Sequence, residues 1–293
     1  MKTYFVNTSC PKCGHSYDPT YPKCPYCNED NNDRGCLFFE NFIHTPIWKQ
    51  ALFFALSIIG LSLIASFVEL IQSGIFSLNN PNSPIEDVQK YLLSIEGASI
   101  RVFTSYALLF GFMAALFIGS YKEFIKQASF KKFFLGVGFF GLLLAFNYIY
   151  GIISTLLFNA AGIDPSVNGN ESSIRAISKA YPLFAIIIFG ILGPMTEELG
   201  YRVGLFSLIS RLGKVLGYIV SALVFAFIHF DWTCFSSSQA TIIELINIPS
   251  YIVAGLLLCI AYKKAGLLGS YTAHALNNLL SVILIILTTT TSI

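Results

Sequence analysis

From Pro46 onward the chain alternates long apolar runs with short polar stretches, a pattern that predicts membrane-crossing helices. The runs fall near 51–72, 102–120, 133–158, 181–211, 214–235, 242–262 and 266–288. Each is long enough to cross about 30 Å of hydrocarbon, which takes about 20 helical residues. Alternating segments of about ten residues, the mark of a membrane barrel, are absent, so helices are the spanning element that fits. Ahead of Pro46 the pattern changes. Residues 1–35 form a polar unit, and 28–35, rich in Asn and Asp, reads as a linker. Residues 1–8 are mostly polar and lead into a Cys-rich segment, unlike a signal peptide. The first apolar span is therefore expected to act as its own insertion signal. The expected fold is an all-α polytopic membrane protein, a bundle of about 7–8 transmembrane helices. A small module with its linker (1–35) precedes the helical domain (36–293).

Composition agrees. The chain is 55% apolar and 12% charged, whereas a soluble domain carries about 25% charge. The net charge of +2 says little, but its distribution says more. Lys122, Lys126, Lys131 and Lys132 lie between the second and third spans. Arg211 and Lys214 lie between the fourth and fifth, and Lys263 and Lys264 between the sixth and seventh. The opposite loops hold only Lys90, Arg101, Arg175 and Lys179. The positive-inside rule then puts the N-terminus in the cytoplasm. An integral, multi-pass protein of a bacterial cytoplasmic membrane is expected, in contact with lipid and with no nucleic-acid partner.

Seven cysteines are present, and four cluster as Cys10-Pro-Lys-Cys13-Gly14 and Cys24-Pro-Tyr-Cys27. Each C-x-x-C turn can aim two thiolates at one tetrahedral ion, a spacing that resembles small zinc ribbons. A cytoplasmic location disfavours the alternative of two disulfides. Structural Zn2+ on Cys10, Cys13, Cys24 and Cys27 is the expectation. The four-thiolate shell would be closed, so the ribbon is not the catalytic centre.

Ionisable groups at membrane depth are functional-site candidates by default. The last four spans carry few strongly polar groups: Glu197, Glu198, Arg202, His229, Glu244, His274 and the Asn277-Asn278 pair. Glu244 falls near a span end and reads as interfacial, as does Glu69. Glu198 and Arg202 are four residues apart, as are His274 and Asn278, so each pair shares a helix face. A turn at Arg211-Leu212-Gly213-Lys214 would fold spans four and five into a hairpin. Glu197 lies 16 residues before Gly213 and His229 16 after it. At 1.5 Å per residue both sit about 24 Å from the turn and can meet inside the membrane. A carboxylate beside an imidazole in a low-dielectric cavity suits general-base activation of water, and an Asn amide suits oxyanion stabilisation. No H-E-x-x-H helix is present. A catalytic metal would need Glu197, His229 and His274 from three helices.

The set Glu197-Glu198-x-x-x-Arg202, Phe225-x-x-x-His229 and His274-x-x-x-Asn278 resembles the motifs of the CAAX protease and bacteriocin-processing (CPBP, or Abi) family. These multi-spanning intramembrane proteases include the Ras-converting CAAX endopeptidase. The resemblance covers residues 180–285, and the ribbon is an addition to that core. It implies that Glu197 activates water with help from His229. It implies that His274 and Asn278 stabilise the oxyanion, and that Glu198 and Arg202 support them. The implied activity is endopeptidase cleavage of a membrane-associated peptide or protein: a prenylated CAAX-type protein, a peptide precursor or a leader peptide. The family is usually described as metalloproteases, which leaves metal-assisted and metal-free chemistry both open. A non-catalytic member of the same fold, such as a bacteriocin self-immunity protein or a membrane scaffold, is the alternative.

Overall fold

The computed structural model describes residues 3–290, and apart from one small hairpin the chain is helical. Five helices are long and apolar enough to cross a membrane: α1 (Ile47–Asn79), α3 (Ile95–Gln127), α4 (Phe130–Ala160), α6 (Pro182–Ser210) and α8. A sixth, α7 (Lys214–Ile228), is apolar but shorter. The last, α8 (Ser238–Thr290), breaks at Gly266, whose φ of 67° and ψ of −168° interrupt the helix. Its arms, 238–265 and 267–290, are the expected sixth and seventh spans. Gly266 suits this break because positive φ costs glycine nothing. Asn41 donates to the carbonyls of Lys263 and Lys264 just before it.

Two shorter amphipathic helices, α2 (Ile85–Leu93) and α5 (Gly169–Ala180), lie in the loops of one end of the bundle. Local signals set the helix starts. Ser94, Ser129 and Asn168 accept from the backbone N–H two or three residues on, at the heads of α3, α4 and α5. Pro182 opens α6 in the first turn, where its missing N–H costs least.

Helix α6 is central. Its most apolar stretch is 56% buried, against 17%, 17% and 11% for α1, α3 and α4. The outer helices therefore show lipid a Phe- and Leu-rich face, and α6 can hold polar groups away from it. Pro194 does not break the helix. A π-helical turn at Ile188–Leu192 precedes it, and a second π-helical stretch runs from Glu198 to Phe206. Such insertions recur at functional sites because they redirect side chains within a continuous helix.

The second π stretch packs on the first half of α1 through glycine. A Cβ on Gly204 would sit 2.9 Å from the Gln50 carbonyl and 2.9 Å from the Phe54 nitrogen. Both are backbone atoms, which cannot swing aside. Gly204→Leu is expected to lower stability by about 1–3 kcal/mol or to prevent assembly, since overpacking forces backbone shifts. Thermal unfolding in detergent checks this, and an unchanged midpoint would refute the close helix contact.

The N-terminal module is a ribbon docked on the end of the bundle opposite α2 and α5. Strands β1 (Thr8–Ser9) and β2 (Ser16–Tyr17) pair antiparallel on either side of the first knuckle. The knuckles repeat each other. Gly14 N donates to Cys10 O and Asn28 N to Cys24 O, at 3.0 and 2.9 Å. Gly14 and Asn28 both take positive φ, 72° and 63°. Glycine and asparagine tolerate that region best. Residues 28–35 are hydrogen-bonded as they leave the second knuckle: Asn31 donates to the Tyr21 and Pro19 carbonyls.

Docking centres on Arg211, at the end of α6. Its guanidinium is buried and donates to both Asp18 carboxylate oxygens (3.1 and 2.7 Å), to the Tyr4 carbonyl (2.7 Å) and to Gln50 (3.2 Å). Burial works to raise the Asp18 carboxyl, but the Arg211 guanidinium and the Thr20 donors outweigh it and hold the group below the usual carboxylate range. The clasp therefore stays ionised at neutral pH. A second contact runs through His44, which stacks on Tyr21 at 4.0 Å and pairs with Glu123 at 2.6 Å.

Candidate active site

The hairpin α6–α7 turns at Gly213 and brings Glu197 and His229 to the same depth. His229 Nε2 lies 3.9 Å from Glu197 Oε2. The second arm of α8 delivers His274, whose Nε2 lies 3.7 Å from the same oxygen. Adjacent positions on a helix point in different directions, and the glutamates divide accordingly. Glu197 faces a cavity of about 380 Å³, which His229, His274 and Asn278 also line. Glu198 faces the protein interior and is fully buried with Arg202.

Each histidine is oriented through its other nitrogen. His229 Nδ1 is 2.7 Å from the Phe225 carbonyl. A carbonyl only accepts, so Nδ1 carries a proton and Nε2 is the nitrogen turned toward Glu197. His274 Nδ1 is 2.9 Å from Glu198 Oε1, where it donates to the carboxylate. The Glu198–Arg202 pair expected from their spacing is present at 3.4 Å. Glu198 thus serves two partners, Arg202 and His274. The guanidinium nitrogens find no hydrogen-bond partner among the described residues. It is held by charge and by the Phe225 ring face, 4.9 Å away.

Glu197 Oε2 is buried and has no hydrogen-bond partner among the described residues. An orphaned buried carboxylate oxygen aimed between two imidazoles is costly unless it has a job. Asn278 donates one amide hydrogen to the Phe189 carbonyl at 3.2 Å, at the first π turn of α6. A primary amide has two such hydrogens.

Sequence reasoning missed several residues. The Tyr251 ring stacks on His229 at 4.7 Å, nearly parallel at 16°. Asn168, the cap of α5, donates to the His229 carbonyl at 3.2 Å and to the Tyr251 hydroxyl at 3.3 Å. Glu244, read as interfacial, is buried and accepts from the backbone of Gly169 and Asp231 at 3.1 and 3.2 Å. It ties the head of α5 to the loop after His229. No sequence signal marks Tyr251 or Asn168: each is a common residue type with its partner far along the chain.

Glu197, His229 and His274 offer a donor set, but a spread one. Four tetrahedral ligands at about 2.1 Å from an ion lie about 3.4 Å apart. Among the described residues, only the four cysteines form a set of three or more such ligands all within 4.8 Å of one another. Each imidazole nitrogen is that close to Glu197 Oε2, but the three groups do not all lie that close to one another, so they do not fit a shared ion as they stand. Two partners of one bridging water, each at about 2.8 Å, sit about 4.6 Å apart or more. The 3.9 and 3.7 Å pairs are closer than that, so a water reaches Glu197 from the open cavity and not from between the rings.

In the ribbon, Cys10 and Cys27 sulfurs are 3.5 Å apart and Cys13 and Cys24 sulfurs 3.7 Å. Tetrahedral thiolates about 2.3 Å from zinc lie about 3.8 Å apart. The four cysteines can bind a metal ion, and the cluster fits a zinc ribbon. Backbone N–H groups of Cys13 and Lys12 lower the Cys10 thiol to about 6, easing the first deprotonation.

Comparison with known proteins agrees with the motif resemblance. Residues 179–280 match the family model described as type II CAAX prenyl endopeptidase Rce1-like. An uncharacterised protein of Mycoplasma capricolum is 28% identical over 270 residues, covering 86% of this chain and 72% of that protein. The UPF0177 protein YxdF of Lactococcus lactis is 26% identical over 129 residues, covering 43% of this chain and 68% of that protein. No solved structure matches. The chain is thus a multi-pass membrane protein that resembles a CAAX-type intramembrane protease family over residues 179–280.

Proposed function

We propose that this protein is an intramembrane endopeptidase that hydrolyses a peptide bond with water activated by Glu197. The observation that carries the reading is the unpartnered, buried Glu197 Oε2, flanked by two imidazole nitrogens at 3.9 and 3.7 Å in one cavity. A water in the cavity beside Glu197 and His229 gives a proton to Glu197, assisted by His229, as its oxygen attacks the carbonyl carbon. A ring N–H of His274 and the free amide hydrogen of Asn278 stabilise the resulting oxyanion. The tetrahedral intermediate then expels the amine, and the proton held by Glu197 passes to that nitrogen. One carboxylic acid and one amine leave, and the carboxylate is restored.

Because the three-residue donor set is too widely spread for a shared ion, no step is routed through a catalytic metal.

The alternative, a non-catalytic self-immunity protein or scaffold, has no use for an orphaned carboxylate. The E197Q substitution separates the two: loss of cleavage with the fold intact supports the protease, and cleavage at the wild-type rate removes it. The relatives' bacterial sources favour a bacterial cytoplasmic membrane as the location.

In the ribbon we assign Zn2+ as the ion, in a structural role. Full-length protein is expected to carry about one equivalent of zinc. The C10S/C13S variant should carry none, as read by elemental analysis. Zinc retained in that variant would move the metal elsewhere in the chain.

A further inference from the structure

The ribbon and the catalytic cavity stand at opposite ends of the bundle. On the ribbon's end lie the turn at Arg211, the break at Gly266 clasped by Asn41, and Glu123 at the foot of α3. The basic connections 122–132, 211–214 and 263–264 belong to this same end. The cavity lies at the other end, where α5 closes over it: Asn170 and Glu171 line it, and Asn170 is exposed.

Depth follows from α7. It starts at Lys214 on the ribbon's end and finishes at Ile228, immediately before His229. At 1.5 Å per residue His229 stands about 22 Å from Lys214, across a hydrocarbon core of about 30 Å. The scissile bond would therefore sit within about 8 Å of the far boundary. The next residues mark that boundary. Trp232 and Phe235 are 60% and 65% exposed just beyond the end of α7, where aromatic side chains anchor at the lipid–water interface.

Two independent properties orient the bundle. The basic connections favour the cytoplasmic side, and a four-thiolate site survives in a reducing compartment. Both place the ribbon inside, and so place the cavity at the outer leaflet. We infer that this chain, if a protease as proposed above, cleaves peptide segments presented at the outer leaflet: exported precursors or membrane-anchored leaders. Proteins lipid-anchored on the cytoplasmic leaflet lie on the wrong side of the cavity. The cavity also has a flank at the lipid surface, formed by exposed Asn147 of α4 and exposed Leu284 of α8. A segment anchored in the membrane can enter there sideways.

Cysteine labelling of the full chain in intact cells tests this. Ser173 of α5 and Lys122 near the ribbon are both exposed. S173C should react with a membrane-impermeant maleimide before lysis, above the unsubstituted chain, and K122C only after lysis. The reverse pattern overturns the inference and leaves the protease reading untouched. In a second arm, a reporter with one transmembrane anchor carries its flanking segment either outside or inside. Only the outward segment should be cut, and E197Q should abolish the cut. Cleavage of the inward segment overturns the inference. Cleavage of the outward one by E197Q as fast as by wild type overturns the proposed chemistry while the labelling result stands.

Discussion

Glu197→Gln should reduce peptide-bond cleavage by about 100- to 10,000-fold, the range lost when a positioned general base is removed, with little cost to folding. The two halves of this expectation have separate reasons. The amide has nearly the carboxylate's shape but cannot take a proton from water. Folding should persist because Glu197 Oε2 makes no hydrogen bond to the protein. The amide also spares the cost of burying a carboxylate oxygen that accepts no hydrogen bond. Reporter cleavage and thermal unfolding, measured on the same detergent-purified sample, check both halves. A variant that cuts at the wild-type rate sinks the assignment. One that unfolds would instead reveal a structural role for the carboxylate.

Arg202→Met should have the largest effect on stability. The guanidinium and the Glu198 carboxylate are both fully buried, 3.4 Å apart. Removing one partner of such a pair costs about 3–5 kcal/mol, because the other charge is left in a low-dielectric interior. His274, at 2.9 Å from Glu198, would compensate only by holding its proton. The double variant E198Q/R202M removes both charges and should recover much of the loss, since apolar or neutral replacements of buried pairs are often tolerated. It should not recover activity, because His274 has then lost the carboxylate that orients it. Unfolding midpoints of the two single variants and the double variant give the coupling. If R202M proves as stable as wild type, the pair is not what holds this part of α6.

Much of the site was legible before any coordinates. The match of Glu197 and His229 about Gly213 needs only a straight hairpin and a fixed rise per residue, and the fold supplies both. Glu198 and Arg202 met as their spacing required, even across a π-helical stretch. The two C-x-x-C turns, with Gly14 after the first, described the ribbon's geometry. The helical bundle was legible too, although the expected sixth and seventh segments form one long helix bent at Gly266 and only five helices are long and apolar enough to cross a membrane. Lys263 and Lys264 had marked the interruption.

Contacts between distant segments were not legible. Nothing in the chain pattern tells that Glu198 serves His274, 76 residues away. Nor does it tell that Tyr251 stacks on His229, or that Asp18 of the ribbon clasps Arg211 at the end of the catalytic helix. Glu244 illustrates the limit. Its place near a span end suggested exposure, yet the α5 backbone folds over it and buries it.

Sequence by itself determined the membrane class, the clustering of the four ribbon cysteines and the shared depth of Glu197 and His229. These follow from hydrophobic length and helical period, which act along one segment at a time. Tertiary structure alone decided the split of the two glutamates between cavity and core, the clamp on each imidazole, and the end of the bundle at which the cavity opens. Those depend on which helix faces meet. That choice rests on close glycine contacts and on pairing buried charges across segments, energies that exist only once the helices are packed.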